Sequence, residues 1–244
     1  MKKLRLDSLL VERGYFPDKQ AALRAVLAHE VKVDDAYAQS AALLVDRSAN
    51  LTVKSPKRFV SRGGFKLQQA LDTFKQDVTG MRALDVGAST GGFTDCLLQA
   101  GAAQVTCVDV NYGQLAWELR QDSRVVVLER LNIKHAQPNE TGAPFDIIVA
   151  DLSFIGLAQL APVFARFAQI GSVFIGLIKP QFESRLGETE RGVVHNEVVR
   201  ERVVAEVKDA LSAAGFMPIG VVESPIKGPA GNIEYLVQAK YLPR

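Results

Sequence analysis

The sequence predicts an α/β protein in which a small α+β domain precedes a doubly wound sheet with an antiparallel last strand. From residue 81 onward, short apolar runs alternate with helix-length stretches, and several runs are apolar on both faces. Strands of this kind belong to a mainly parallel sheet that helices cover on both sides. Near the C-terminus, the Pro/Gly-rich loop Ser224–Gly231 joins two apolar runs directly, so the last strand is expected to run antiparallel.

The individual elements follow from local patterns. Apolar residues at helical spacing predict helices over Leu6–Arg13 and Lys19–Ala28, and short apolar runs predict strands over Val31–Val33 and Leu51–Lys54. The clearest helix of the second part is Asn196–Ala214, with Asn196 as its N-cap and Gly215 after its end. The remaining apolar runs predict strands over Arg82–Val86, Gln104–Asp109, Arg124–Leu128, Phe145–Asp151, Val173–Lys179, Met217–Glu223 and Glu234–Tyr241.

This reading divides the chain into a domain at residues 1–56, a linker at 57–65 and a main domain at 66–244. The linker is predicted from a charged segment that contains the pair Gly63–Gly64. Residues 1–66 hold 13 Lys/Arg and 7 Asp/Glu, whereas the rest holds 16 and 20. A basic leading segment indicates a polyanionic partner, although a solvated basic face would have the same composition.

Composition narrows the class of protein. The 244 residues are 48% hydrophobic and 23% charged, and the apolar runs are too short to cross a bilayer. The two cysteines, Cys96 and Cys107, match no metal or disulfide spacing, so no metal site is predicted and a reduced cytoplasmic location is expected. No signal peptide is visible.

The strongest motif is the glycine-rich loop that follows the first strand of the main domain. Gly87, Gly91 and Gly92 are spaced G-x-x-x-G-G, which is not the G-x-G-x-x-G pattern of dinucleotide-binding proteins. Asp85, two residues before the loop, suits a ligand amine such as that of a methionine moiety. The cofactor-binding residues predicted from this loop are Asp85, Gly87, Ser89, Thr90, Gly91, Gly92 and Phe93.

A second acidic residue lies where an adenosine ribose would be held. Asp109 ends the second strand, and it and the following Val110 are predicted to bind the cofactor. A carboxylate at the position of Asp109 can accept hydrogen bonds from both ribose hydroxyls. Taken alone, Asp109 could also be a helix-capping or loop carboxylate. Together with Asp85 and the glycine loop, it predicts an adenosine ligand without a pyrophosphate, which S-adenosylmethionine fits best.

Opposite charges end the fourth and fifth strands. Asp151 and Lys179 are expected at the carboxyl edge of the sheet, where open α/β sheets bind their ligands, although single charges there can simply mark the surface. An exocyclic-amine methyltransferase would carry Asp/Asn-Pro-Pro-Tyr/Phe where this chain has Asp-Leu-Ser-Phe, and neither cysteine lies at a strand end to serve C5 methylation. A hydroxyl acceptor requires only alignment and a base, and Lys179 could be that base.

Five motifs occur in order along the chain: Ser61–Leu67, the glycine loop, Ala150–Phe154, Ile178–Glu183 and Gly231–Tyr235. Together they resemble the TlyA family of ribosomal RNA ribose 2′-O-methyltransferases, whose catalytic domain is FtsJ-like. The resemblance spans nearly the whole chain and implies a class I methyltransferase (Rossmann-like) fold. It implies a catalytic tetrad of Lys66, Asp151, Lys179 and Glu234. It also implies that Asn132 and Ile133 flank the adenine and that Asp151 borders the cofactor.

Residues 1–55 resemble the alpha-L RNA-binding domain found in a small-subunit ribosomal protein. This implies ribosomal RNA or a ribosomal subunit as the partner. Where that pattern has Ser-Arg, Gly and Asn-Gly, this chain has Asp18-Lys19, His29 and Asp34-Asp35. The predicted RNA-binding residues are Arg5, Lys19, Arg24, Lys57, Arg58 and Arg62.

Two other interpretations remain open from the sequence. One is an RNA- or ribosome-binding protein with a vestigial cofactor site. The other is a cytolysin, since some members of the family carry the name hemolysin, but the sequence has no amphipathic or membrane-spanning element that would serve lysis.

Overall fold

A computed structural model describes residues 3–54 and 58–243. The chain divides into two compact units, with the boundary between residues 57 and 58. Over residues 3–54, the first unit contains two helices and five short strands. In chain order its elements are β1 (Leu4–Arg5), α1 (Leu6–Glu12), α2 (Lys19–Leu27), β2 (Val31–Val33), β3 (Ala36–Tyr37), β4 (Leu44–Val45) and β5 (Leu51–Val53).

Local hydrogen bonds at both ends explain why α2 forms where the sequence predicted it. The Asp18 side chain accepts a hydrogen bond from the Ala21 amide at 2.8 Å, which satisfies one of the free N–H groups at the helix start. At the other end, His29 adopts φ +53°, and its amide donates to the Val26 carbonyl while the Glu30 amide donates to the Ala25 carbonyl. These two bonds form a Schellman motif, so His29 occupies a position that favours glycine.

The first unit also contains a tight hairpin at the Asp34–Asp35 pair. Both residues have positive φ, at 49° and 68°, and they connect the antiparallel strands β2 and β3. The unit encloses its own apolar core, which is built mainly from α1 and α2 with Val31 and Leu51 beneath them.

The second unit contains seven helices and seven strands in its described residues. They are α3 (Gly63–Phe74), β6 (Arg82–Val86), α4 (Gly92–Gln99), β7 (Gln104–Asp109), α5 (Trp117–Arg120), β8 (Val125–Glu129), α6 (Pro138–Thr141), β9 (Phe145–Ala150), α7 (Leu157–Ala165), β10 (Ala168–Ile178), α8 (Pro180–Glu183), α9 (Glu197–Ala213), β11 (Phe216–Glu223) and β12 (Tyr235–Tyr241).

The strands form a single seven-stranded sheet in the order β11-β12-β10-β9-β6-β7-β8. The pairs among β10, β9, β6, β7 and β8 are parallel, whereas β12 is antiparallel to both of its neighbours. The predicted doubly wound sheet with an antiparallel last strand is therefore confirmed. Alternate residues of one strand enter different apolar cores: Ile147 and Val149 belong to one, and Ile148 and Ala150 to the other. A core therefore lies on each face of the sheet.

The structure differs from the sequence prediction at the linker. Residues 63–65 form the first turn of α3, a helix that was not predicted, and Phe59 is buried in the core of the second unit. Most of the stretch expected to be a linker therefore belongs to this unit. The glycine pair suggested a break in structure, but here a glycine allows close packing: a Cβ built on Gly64 would lie 2.6 Å from Phe59 Cβ.

Other boundaries moved by a few residues. Strand β10 begins at Ala168, five residues before the predicted start, and the predicted ends at Asp151 and Lys179 fall just beyond their strands. In the described ranges 3–54 and 58–243, no helix has both the length and the hydrophobicity needed to cross a membrane.

The glycine pair gives a matched test of the packing around Phe59. Gly64→Ala should lower the free energy of unfolding by about 1–3 kcal/mol, because the added methyl group overpacks the Phe59 ring. Gly63→Ala is the control, since its Cβ would meet its nearest neighbour, Ser61 Oγ, at 3.4 Å and should be tolerated. Urea unfolding of both variants measures the difference, and equal stability of the two would contradict this account.

Candidate active site

Two adjoining cavities lie at the carboxyl ends of the parallel strands. The larger has a volume of about 520 Å³ and lies over the ends of β6, β7 and β9. The smaller, of about 270 Å³, lies beside it, between the start of α3, the glycine loop and the approach to β12. Gly87, Ser89, Asp151 and Ser153 contribute to both walls. A ligand in one cavity would therefore lie directly against a ligand in the other.

The larger cavity contains most of the residues predicted to hold the adenosine part of a cofactor. Asp109, Val110, Asn132 and Ile133 all line it. The Asp109 carboxylate also organises the loops around the cavity, because its two oxygens accept hydrogen bonds from the amides of Ser89 at 2.7 Å and Asn111 at 2.8 Å. Each carboxylate oxygen retains a further lone pair for a ligand hydroxyl.

The three predicted glycines have different structural roles. Gly87 has φ +82°, and a Cβ there would lie 2.6 Å from the Asp151 carbonyl oxygen, so a side chain would separate β6 from β9. Gly91 also has a left-handed backbone and faces neighbouring side chains. Gly92 faces the start of α3. Thr90, Gly92 and Phe93 line the smaller cavity, while Gly91 lines neither cavity.

Asp85 lies beneath the glycine loop, where it lines neither cavity. Its side chain is fully buried and accepts a hydrogen bond from Thr94 Oγ1 at 2.6 Å, while its Oδ1 atom has no partner among the described residues. Burial raises the pKa of Asp85 to about 7, and the nearby Asp151 carboxylate adds to this while the bond from Thr94 opposes it. That Asp85 contacts a ligand amine stays a prediction.

The smaller cavity contains the four side chains of the implied tetrad. They form two ion pairs: Lys66 Nζ lies 2.6 Å from Glu234 Oε2, and Lys179 Nζ lies 2.6 Å from Asp151 Oδ1. Lys66 and Glu234 are only 8% and 1% exposed. Two positively charged and two negatively charged side chains thus line the smaller cavity. Each ion pair contains a group that can donate or accept a proton.

Four separate elements position this tetrad. Lys66 is on the first turn of α3, Asp151 and Lys179 follow β9 and β10, and Glu234 precedes β12. Strands β9 and β10 are parallel neighbours, which brings their carboxyl ends together as the sequence predicted. Pairing of β12 with β10 places Tyr235 opposite Ile178, so Glu234 arrives beside the same edge.

Phe154 is a prominent site residue that sequence reasoning did not assign. It is 92% exposed, lines the larger cavity and has φ +67°, a conformation that is unusual for a bulky residue. Its ring packs against that of Phe182 with a centroid separation of 5.7 Å, and Lys179 Nζ lies 5.9 Å from the Phe182 centroid. Strain and exposure together are typical of functional positions, but neither can be read from a motif.

The predicted RNA-binding residues lie in different settings. Arg62 lines the smaller cavity, and Arg58 lies over the Phe59 ring. In the first unit, Lys19 and Arg24 are exposed on α2, while Arg5 forms a 2.6 Å ion pair with Asp7. Lys57 lies outside the described residues. No cluster of His, Cys, Asp or Glu in the described ranges has the arrangement of a metal site.

Comparison with known proteins identifies the family in two steps. The pattern of the FtsJ-like methyltransferases matches residues 59–241, and the chain belongs to that family. Within it, the chain belongs to the TlyA group: it is 44% identical over 239 residues to the 16S/23S rRNA (cytidine-2′-O)-methyltransferase TlyA of Mycobacterium tuberculosis, covering 97% of this chain and 89% of that protein.

Two further similarities span the same length. Hemolysin A of Brachyspira hyodysenteriae is 36% identical over 235 residues, which cover 96% of this chain and 98% of that protein. A solved structure of a hemolysin-named protein from Streptococcus thermophilus is 37% identical, with a TM-score of 0.75 over 99% of this chain and 90% of that one. The class I methyltransferase fold expected from the sequence is confirmed, because more distant solved methyltransferases share it.

The buried Asp85 should make stability depend on pH in an unusual direction. Its pKa is about 7 in the folded protein and near 3.8 when unfolded. Between those values the folded state retains a proton that the unfolded state loses, so rising pH favours unfolding by roughly 1 kcal/mol per pH unit. Below about pH 4 and above about pH 7 this contribution is constant.

Asp85→Asn keeps the shape of the protonated side chain and removes the titration. The free energy of unfolding of the wild type should therefore fall relative to that of Asp85→Asn as the pH rises from 4.5 to 7.5. Urea titrations of both proteins at several pH values measure this difference. A difference that stays constant over that interval would show that Asp85 does not titrate there.

Proposed function

We propose that this protein uses S-adenosylmethionine to methylate a ribose 2′-hydroxyl in ribosomal RNA. The observation that carries the proposal is the pair of ion pairs in the smaller cavity, directly against the cavity that suits an adenosine ligand. Membership of the methyltransferase family supports the reaction class. The name of the Mycobacterium tuberculosis relative, which specifies a ribosomal RNA cytidine 2′-O position, supports the acceptor.

The larger cavity fits the adenosyl group in both chemistry and size. Asp109 offers carboxylate oxygens for the ribose hydroxyls, and Asn132 and Ile133 provide a polar and an apolar wall for the adenine. Gly87 lines both cavities, so the methionine part would lie along the wall shared with the smaller cavity. When bound, S-adenosylmethionine supplies a methyl group made electrophilic by the adjacent sulfonium.

The smaller cavity would hold the acceptor ribose. Lys179, in its uncharged form, accepts the proton of the 2′-hydroxyl, and Asp151 keeps the amine oriented. Ser153 Oγ, 3.4 Å from Lys179 Nζ, limits the position of the amine on another side. The buried Lys66–Glu234 pair sets the local field and holds the ribose in line with the shared wall.

We further propose that aromatic stacking holds the target nucleotide at the entrance. The exposed ring of Phe154 stands at the rim of the larger cavity and is supported by Phe182. Unstacked RNA bases bind preferentially on such aromatic faces. Arg62 in the smaller cavity is placed for a backbone phosphate, and the exposed Lys19 and Arg24 of the first unit add further RNA affinity.

Cofactor binding is tested most directly at Asp109. Asp109→Ala should weaken S-adenosylmethionine binding by about 1–3 kcal/mol through the loss of charge-assisted hydrogen bonds. Glu118→Ala, an exposed acidic residue on α5, is the control and should leave binding unchanged. Calorimetry measures both affinities. Full affinity in the Asp109 variant would remove that residue from the site, and no affinity in the wild type would favour an RNA-binding protein with a vestigial cofactor site.

The general-base role of Lys179 has its own test. Lys179→Ala should leave folding and cofactor affinity nearly intact and should reduce turnover by about 10²–10⁴-fold. Lys179→Arg should not restore turnover, because a guanidinium group stays protonated and cannot accept the hydroxyl proton. Lys66→Ala should also impair turnover, with an effect that is not additive with that of Lys179→Ala.

Single-turnover rates at saturating ribosomal RNA, with the product identified by nucleoside mass spectrometry, distinguish the two possible roles of Lys179. An active Lys179→Arg variant would refute the base and leave an electrostatic clamp. Methylation on a base instead of a ribose would refute the proposed acceptor. The hemolysin names of two relatives have no counterpart in the geometry of this site.

A further inference from the structure

Glu183 is a partly buried carboxylate without an evident catalytic task. It lines neither of the two cavities, and among the described residues no Lys, Arg or His forms an ion pair with it. Burial raises its pKa, which means that the ionised form is stabilised less well than in water. A carboxylate kept in such a place requires a partner that compensates for the lost hydration.

That partner is the start of helix α7. A Glu183 side-chain oxygen accepts a hydrogen bond from the amide of Leu157, the first residue of the helix, and the Ala158 amide also lowers the pKa of Glu183. Free amides and the helix dipole make this end attractive to a negative charge. Gly156 leaves the space that the carboxylate needs, because a Cβ there would lie 2.9 Å from Glu183 Cδ.

This bond joins two segments that hold the acceptor site. One segment runs from Asp151 to Leu157, between β9 and α7, and the other runs from Lys179 to Glu183, between β10 and the end of α8. The Lys179–Asp151 ion pair joins them near the strands, and the Phe154–Phe182 contact joins them farther out. The Glu183–Leu157 hydrogen bond joins the far ends of the two segments. The two aromatic rings therefore lie between the ion pair at one end and this hydrogen bond at the other.

We propose that Glu183 is a positioning residue that holds Phe154 and Phe182 in the arrangement that receives the RNA. The proposal rests on the proposed function. Phe154 has a left-handed backbone and an almost fully exposed ring, so local interactions alone do not determine its orientation. The hydrogen bond from the Leu157 amide, three residues after Phe154, fixes the end of the segment that carries Phe154. The same Glu183 side chain fixes the position of Phe182, which directly precedes Glu183.

Glu183→Gln tests this with little change in shape. The amide has one acceptor oxygen in place of two and turns an N–H donor toward the helix amides. The hydrogen bonding between this side chain and the start of α7 is therefore weakened. The rate of a single turnover at subsaturating ribosomal RNA should fall about tenfold or more, as it should in Phe154→Ala, because one base–aromatic stack is lost. At saturating ribosomal RNA the single-turnover rate should fall much less, because Phe154 is proposed to act in binding the RNA and not in methyl transfer. Glu188→Gln, which weakens the contacts of Glu188 with Arg202 and with the Arg185 amide and leaves Glu183 unchanged, is the matched control.

The double variant Glu183→Gln/Phe154→Ala separates positioning from a general loss of stability. If Glu183 acts through Phe154, the double variant should be about as slow as Phe154→Ala alone. Multiplied effects, an unchanged rate in Glu183→Gln, or an equal loss in Glu188→Gln would each overturn the proposal. A wild-type protein that fails to methylate RNA would instead show that the proposed function itself is wrong.

Discussion

The site depends on how closely the carboxyl ends of β6 and β9 approach each other. The Asp151 amide donates a hydrogen bond to the Val86 carbonyl at 3.1 Å. The next residue, Gly87, lies so close to the Asp151 carbonyl that a side chain at this position would not fit. The Gly87 amide in turn donates to the Val108 carbonyl of β7 at 2.8 Å. Three strand ends are thus joined through their backbones, and the resulting wall separates a cofactor-sized cavity from a ribose-sized one.

The four charged side chains of the smaller cavity are costly for stability, which is informative about their purpose. Removing two ammonium groups and two carboxylates from water carries a large desolvation penalty, and apolar residues of similar volume often stabilise a protein as well or better. Here the four groups sum to zero charge and are held by four different elements. An arrangement of this kind has its polar groups oriented before a substrate arrives, which is how most electrostatic catalysis is achieved.

The sequence predicts what depends on short-range pattern. The strands were predictable because each is a short apolar run, and the meeting of Asp151 with Lys179 followed from parallel neighbours ending at the same edge. Helix α3 was missed because its glycine pair resembles a break, although Gly64 is small only to admit the Phe59 ring. The Lys66–Glu234 pair joins residues 168 positions apart, and only family resemblance indicated it. The burial of Asp85 depends on tertiary packing that no motif encodes.

The hairpin of the first unit combines a left-handed backbone with two acidic side chains. Asp34 and Asp35 adopt the positive φ values that an Asn-Gly turn would adopt more readily, at a cost of about 1–2 kcal/mol for a non-glycine residue in that region. Part of that cost is offset because Asp34 Oδ1 accepts a hydrogen bond from the Asn50 amide at 2.9 Å, and the Asp34 amide donates to the Asn50 carbonyl. The hairpin therefore forms with a negatively charged tip. The two carboxylates at this tip would repel phosphates, whereas Lys19 and Arg24 on α2 are exposed and positively charged.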